Sequence, residues 1–457
     1  MKQSLQNLKP LEALWVAVLV ISVVGVTMIG FGWMPHLSII LVLCGLMVYG
    51  RIRGIRFQDM QQQMAEGVMS GIGAIYLFFF IGLLVSALMM SGTIPTIMYY
   101  GFDLISPRYY YLSAFLLTSI VGIAIGSSLT TCATLGVAFI GMSQAFQADP
   151  AIAAGAIVSG AFFGDKMSPL SDTTGIAASI VGIDLFEHIR NMMYTTVPAF
   201  ALTALFLWLL AGNTGGSIDS ITAIQNQLQQ SGLVHWYSLL PLAVLLVLAL
   251  RKVGAIYTIM ATIAVALPLT YLHSKPGVGE LGNWFFNGYT PAVDLGDVGR
   301  LISRGGISSM FFTQTIVVLA LSMGGLLAAL GVLPALLDGI RHLLHSTGRV
   351  TFAAASTALG VNILVGEQYL SLLLAGETFK SVYDKLNLHP RNLSRTLEDA
   401  GTVINPLVPW SVCGVFISHA LGVPVLDYLP YAFFCYLCLL LTLLFGFSGI
   451  TLSRKEN

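Results

Sequence analysis

The residues able to do chemistry in this sequence gather in one short stretch, Gly164 to Thr174, which reads GDKMSPLSDTT. Asp165 and Asp172 offer carboxylates, and Ser168, Ser171, Thr173 and Thr174 offer hydroxyls. An all-oxygen set of this kind suits Na⁺ or a proton rather than a transition metal. Pro169 removes one backbone donor and disfavours helix at Ser168, so a helix interrupted here presents free carbonyls and amides beside those side chains. Asp172, placed after the proline and among hydroxyls, reads as functional. Asp165 and Lys166 read equally as functional or as a structural pair at a helix end. Neighbours in sequence do not face each other on a helix, so Lys166 is expected to reach another partner, such as Glu367, or the membrane interface.

The surrounding chain makes this stretch costly. Of 457 residues, 56% are hydrophobic and 9% charged, and the mean hydropathy is +0.83. Soluble globular chains are about a quarter charged. The composition is that of an integral membrane protein, in which each charged side chain at mid-depth costs about 2.5–3.5 kcal/mol. Asp165, Lys166 and Asp172 together therefore require a compensating role. The net charge is zero and there is no basic run, which argues against nucleic acid as a partner. The partners are instead the lipid bilayer and a small ion or small organic solute.

The apolar runs predict an all-α polytopic membrane protein with about 10–14 membrane segments, several of them too short to cross and so read as broken helices or re-entrant hairpins. The first run, Leu11 to Trp33, lacks a small-residue cleavage pattern and is read as a retained helix. Basic residues cluster at Arg51, Arg53 and Arg56, at Arg190, at Arg251 and Lys252, and at Arg454 and Lys455. Placing these connections inside puts both termini in the cytoplasm. Cys435 and Cys438 form a C-x-x-C within an apolar run, where packing explains them. His419 reads as a satisfied polar contact near the outer surface, and Glu377 with Lys380 as a helix-face pair.

The chain repeats itself. Gly126, Gly136, Phe139, Pro169, Ser171 and Gly182 recur as Gly366, Gly376, Phe379, Pro409, Ser411 and Gly422, each pair 240 residues apart. Upstream the offset is 239, pairing Gly67 with Gly306, Ser70 with Ser309, Gly92 with Gly331 and Pro95 with Pro334. An odd number of segments separates equivalent points, so the two repeats are expected to be inverted in topology. The resulting division is a first half at 1–212, a polar linker at 213–234 that also allows a short surface helix, and a second half at 235–457.

The second half carries its own break, "EDAGTVINPLVPWSVCG", with Glu398 and Asp399 ahead of Asn405, Pro406 and Pro409. Each half also holds a second polar knot upstream, "GSSLTTCATLG" from Gly126 and "GEQYLSLLLAG" from Gly366. The cation- or proton-binding set expected from these stretches is Asp165, Ser168, Asp172, Thr173, Thr174, Glu367, Asp399 and Asn405, with Asp172 and Thr173 as Na⁺ ligands. Ser127, Ser128, Thr130, Thr131, Gln368 and Ser411 are the residues expected to meet a solute.

"GDKMSPLSDTT", "GEQYLS", "NLSRTLEDAGT" and "NPLVPWSVCG" together resemble the NhaC family of sodium/proton antiporters, within the wider ion transporter superfamily. The resemblance covers nearly the whole chain. It implies a secondary transporter of the bacterial inner membrane, a homodimer whose elevator-like transport domain carries two hairpins and two broken helices. On that analogy Ser127 to Thr131 and Gly366 to Tyr369 are hairpin tips, and Asp165 to Thr174 and Asn405 to Ser411 are the helix breaks. The sequence departs from the antiporter pattern at Gly175, where Asn is expected, and at Glu377, where a basic residue is expected.

Two functions follow. The first is alternating-access exchange of Na⁺ for H⁺, with no cofactor and with Na⁺ as the transported or coupling ion. The alternative is Na⁺-coupled symport or exchange of a small organic solute, an amino acid or a carboxylate. An enzyme is not expected, since neither G-x-S-x-G nor H-E-x-x-H occurs.

Overall fold

The computed structural model describes residues 5–212, 218–291, 298–299, 302–340 and 346–455. Among these residues regular structure is helical apart from a single bridge, Leu388 with Arg454. Seven helices are long and apolar enough to cross a membrane, and ten spans result when each of three bent helix pairs is counted as one. The chain is therefore a multi-pass membrane protein, at the lower end of the expected number of segments. The linker between the proposed halves includes a polar helix, Ile218–Gln230, whose Gln225 amide donates to Asp103 at 2.9 Å. Residues 213–217 lie outside the described residues.

The segments that build the site are, in chain order, α1 (Tyr110–Ile125), α2 (Ser128–Thr131, continuing through a π turn at Cys132–Gly136 into Val137–Ala145), α3 (Pro150–Met167) and α4 (Asp172–Val181). α5 (Leu185–Leu209) follows them. The second set is α6 (Thr347–Val365), α7 (Gln368–Lys385), α8 (Pro390–Leu397, running into a π turn at Glu398–Thr402), α9 (Val412–Leu421) and α10 (Phe433–Ser448).

Small residues set the spacing of the first set. α1 and α3 pack along "GAIVSGAFFG", and a Cβ added at Gly164 would lie 2.5 Å from the Gly122 backbone. At Gly160 it would lie 2.1 Å from the Thr118 hydroxyl. Lipid tails are as apolar as leucine, so membrane helices gain by close backbone approach of this kind.

Local signals then end and restart the helices. Asp149 caps α3, accepting from Ala151 N at 2.8 Å, with Pro150 in the first turn. α3 stops before Pro169, and Ser171 caps α4 by accepting from Thr174 N. In the second set Ser411 caps α9, accepting from Gly414 N at 2.9 Å. The break between α8 and α9 bends the chain by 44°.

The C-terminal tail is held to the connection between α7 and α8. His389 N donates to Ser453 O at 2.9 Å, the Asn392 amide donates to the same carbonyl at 2.6 Å, and Lys455 pairs with Asp384 at 3.0 Å. The tail, α8's entry and the Glu187–Arg391 pair (3.5 Å) thus share one face of the molecule.

Candidate functional site

α1 and α6 end in the same way: Gly126 and Gly366 stand in the left-handed region at φ 70° and 75°, where a side chain is strained. Each glycine also sits against the break of its own half. A Cβ at Gly126 would meet Leu170 and Ser168 within 3 Å, and one at Gly366 would meet Ser411 and the Trp410 carbonyl at 3.0 and 3.1 Å. Tip and break therefore touch at positions 240 residues apart in both sets. The correspondence extends to the far ends of the short helices: Lys380 Nζ donates to the Ile180 carbonyl at 3.1 Å, and Arg304 Nη1 to the Ala420 carbonyl at 3.0 Å. Each cation answers the partial negative charge of a helix C-terminus.

Asp172, in the first turn of α4, is exposed on a cleft of about 380 Å³. Ser127, Thr130, Pro169, Leu170 and Lys252 share that cleft. Tyr369 at the start of α7 donates its phenol hydrogen to Asp172 Oδ2, and Thr173 N lies 2.9 Å from Oδ1. Asp165 is buried behind it and accepts from the Ser128 hydroxyl at 2.7 Å and the Ser128 amide at 3.3 Å. Glu367 is buried at the tip of α6, where its carboxylate caps α7 by accepting from Leu370 N at 2.6 Å. Asp172 is near enough to act through space on both Asp165 and Glu367. First-turn amides of α2, α4 and α7, from Ser128, Thr173 and Leu370, each donate to one of these carboxylates, and the partial positive charge of the helix starts favours the anionic form.

Most of the expected hydroxyls are committed to holding this shape. Ser168 Oγ donates to Ile123 O at 2.7 Å, Thr173 Oγ1 lies 3.0 Å from Ser171 Oγ, and Thr174 Oγ1 donates to Lys166 O at 3.4 Å. Ser127 caps α2, Thr130 donates to Ser127 Oγ at 3.1 Å, and Thr131 donates to Ser127 O at 2.8 Å. Asn405 is committed at both ends of its amide: Nδ2 donates to Asn362 Oδ1 at 2.8 Å, and Oδ1 accepts from Cys413 N at 3.0 Å. Ser411 donates to Asn405 O at 2.5 Å, and Gln368 Oε1 accepts from the Cys413 thiol at 3.7 Å.

Lys166 points away from Asp165, as adjacency on a helix requires. Its partner is Asp399, on the π turn of α8, and both side chains are fully buried. Thr195 Oγ1 and Cys438 Sγ lie 3.4 and 3.7 Å from the ammonium, and the Phe434 ring lies 6.0 Å away. Asp399 is therefore neutralised by a lysine rather than open to a second cation. Cys435 and Cys438 are both buried, with Cys438 turned toward Lys166.

Sequence reading left two residues out of the site. Tyr369 falls within the expected tip, Gly366 to Tyr369, but outside the expected binding set, and only the approach of α7 to α4 shows its hydroxyl on Asp172. Glu398 lies in the quoted "LEDAGT", but periodicity cannot tell which of two adjacent acids turns inward. Both do, and neither oxygen of Glu398 finds a partner among the described residues.

A sequence model of the Na⁺/H⁺ antiporter family matches residues 160–450, which include both breaks and the second hairpin tip. The chain is 40% identical over 427 residues to the Na⁺/H⁺ antiporter NhaC of Alkalihalophilus pseudofirmus, covering 93% of this chain and 92% of that protein. It is 38% identical to NhaC of Bacillus subtilis, over 90% of this chain and 92% of that one. It is also 36% identical to the arginine/ornithine antiporter ArcD of Halobacterium salinarum, over 88% and 84% of the two chains. With site geometry, family match and relatives in agreement over most of its length, this chain belongs to the Na⁺/H⁺ antiporter family.

Proposed function

We propose that this protein exchanges Na⁺ for H⁺ across the bacterial inner membrane, with both termini in the cytoplasm, as a homodimer. The observation that carries the reading is Asp172, an exposed carboxylate on an open cleft, backed by buried Asp165 at a helix break. Na⁺ enters by the cleft and is held by Asp172 and Asp165 in their ionised form, with Ser128 and the carbonyls of the break supplying neutral oxygens. Proton uptake by the carboxylates removes the charge that holds the ion, so Na⁺ and H⁺ exclude one another. It also removes the charge that makes a crossing through lipid costly.

The equivalent tips, breaks and capped helix ends at the 240-residue offset support inverted repeats and, with them, alternating access. In an elevator-like arrangement α1–α4 and α6–α9 move as the transport domain. In proteoliposomes, Asp172→Asn is expected to abolish Na⁺-dependent proton movement while the protein stays folded; a wild-type rate in that variant overturns the assignment.

A second reading has its own observation. The cleft far exceeds the volume of one ion, and a Cβ at Gly175 would meet nothing within 4 Å, so there is room beside Asp172 for a small organic solute. The three helix N-termini would favour a carboxylate there. A relative that exchanges arginine for ornithine is in keeping with this. Thermal stabilisation by amino acids or carboxylates that requires Na⁺ would favour the solute carrier; stabilisation by Na⁺ and pH alone favours the ion exchanger.

A further inference from the structure

Glu398 is the buried acid that the cation site does not use. Its side chain is fully buried on the π turn of α8, and neither carboxylate oxygen has a hydrogen-bond partner among the described residues. The same neighbourhood holds other buried polar atoms without one: Asp399 Oδ2, Thr402 Oγ1, His188 Nε2 and Asn191 Oδ1. Buried polar groups in folded proteins are partnered by protein or by ordered water. Six such atoms in one neighbourhood, with the Thr402 hydroxyl near enough to act on the Glu398 carboxylate, fit ordered water between these groups better than apolar packing.

The passage has two ends. Toward the surface, His188 Nδ1 lies 2.8 Å from Ser394 Oγ, and the Asn191 amide donates to Arg391 O at 2.7 Å. Asn191 and Arg391 line a cleft of about 260 Å³ with Glu187 and Arg190, on the face that carries the C-terminal tail. Toward the interior, the charges that act on Glu398 are those of Asp165, Lys166 and Asp399. The Lys166–Asp399 pair joins α3 to the π turn, and so brings Asp165 and Glu398, the sequence neighbours of its two members, to the same junction; the wall of the Asp172 cleft does not include Asp165.

Among the described residues, α7, α6 and α10 meet the π turn with uncharged groups. α7 meets the turn with Ser371 and Leu372, α6 meets it through the Asn362 amide on Gly401 O at 2.6 Å, and α10 brings Cys438 beside Lys166. Arg395, one turn back on α8, donates to Thr451 at 3.1 Å, and His188 feels the Lys166 charge from α5.

We propose that Glu398 is a proton-relay site that carries protons between the tail-side cleft and Asp165, by a route separate from the cleft that Na⁺ uses. A proton taken up from water at the His188–Ser394 end protonates Glu398, and its transfer to Asp165 returns Glu398 to the carboxylate. Lys166 and Asp399, paired with each other, leave the charge beside the relay unchanged in both states. The proposal rests on the exchange reading above.

The test separates the two. Wild-type protein in proteoliposomes is assayed for Na⁺-dependent proton movement and for isotopic Na⁺/Na⁺ exchange, which needs no proton. A wild type without Na⁺-dependent proton movement sinks the exchange reading itself. With an active wild type, Glu398→Gln is expected to keep Na⁺/Na⁺ exchange and to slow proton-coupled exchange at least about tenfold, while Glu398→Asp, which keeps the acid, restores most of it. Glu398→Gln should also lose a protonated-carboxyl band from the pH-difference infrared spectrum. Unchanged proton coupling in Glu398→Gln overturns the proposal. Loss of Na⁺/Na⁺ exchange alongside it, or inactivity of both variants in every assay, makes Glu398 a structural or Na⁺-site residue and overturns it too.

Discussion

The phenol of Tyr369 donates to the carboxylate of Asp172, joining the start of α7 to the start of α4 across 197 residues of sequence. The donor occupies an acceptor position that an entering cation would need. Hydrogen bonds to charged groups contribute about 1.5–3 kcal/mol, part of which a cation must overcome. Tyr369→Phe is therefore expected to lower the Na⁺ concentration for half-maximal exchange about fivefold, the factor that ~1 kcal/mol supplies. A raised Na⁺ requirement would show that the phenol serves the bound ion instead.

Lys166 and Asp399 form an ion pair with no solvent contact. Removing one member leaves a buried charge uncompensated, at a cost of about 3–5 kcal/mol, whereas replacing both with apolar residues is often close to neutral. Lys166→Met should lower the melting temperature in detergent sharply, and Lys166→Met with Asp399→Leu should recover most of the loss. A double variant as unstable as the single one would mean that the pair does more than neutralise itself.

At Gly164 a new Cβ would lie 2.5 Å from the Gly122 backbone, with no flexible side chain to give way. Gly164→Val should separate α1 from α3 and displace Asp165 from Ser128, cutting exchange well before the protein ceases to fold. Overpacking of this kind costs about 1–3 kcal/mol. Thermal melting beside transport assays checks it, and full activity in the variant would contradict the packing argument.

Gly175 offers the reverse case, with open space where a Cβ would stand. Gly175→Asn should leave stability within about 0.5 kcal/mol, as surface changes usually do. It should leave Na⁺/H⁺ exchange intact while abolishing any Na⁺-dependent stabilisation by organic solutes. Loss of the exchange itself would show that the space is needed by the ion path.

Much of this was legible in residue order because the signals were local. Pro169 and Pro409, Ser171 and Ser411, Gly126 and Gly366 each act on the backbone within a turn of themselves, so the breaks, caps and tips could be read without knowing what they pack against. The partners could not. By sequence alone Lys166 is expected to reach Glu367 or the membrane interface, and only the approach of α8 to α3 selects Asp399 instead. Ser168, Thr174 and Asn405, expected as cation ligands, also donate or accept hydrogen bonds within the break, because a bend inside a membrane must satisfy its own freed carbonyls and amides. Tyr369 and Glu398 were hidden for the same reason: each matters through a neighbour from another helix.

The tail that clasps the entrance of α8 gives the molecule a handle. His389, Asn392 and Asp384 grip Ser453 and Lys455 from the connection that leads directly into the helix bearing Glu398 and Asp399. A fluorophore attached beside Lys455 would ride with that helix, and its distance to a probe on the Pro10–Gly30 helix would report in real time whether α8 travels during turnover or stays at rest.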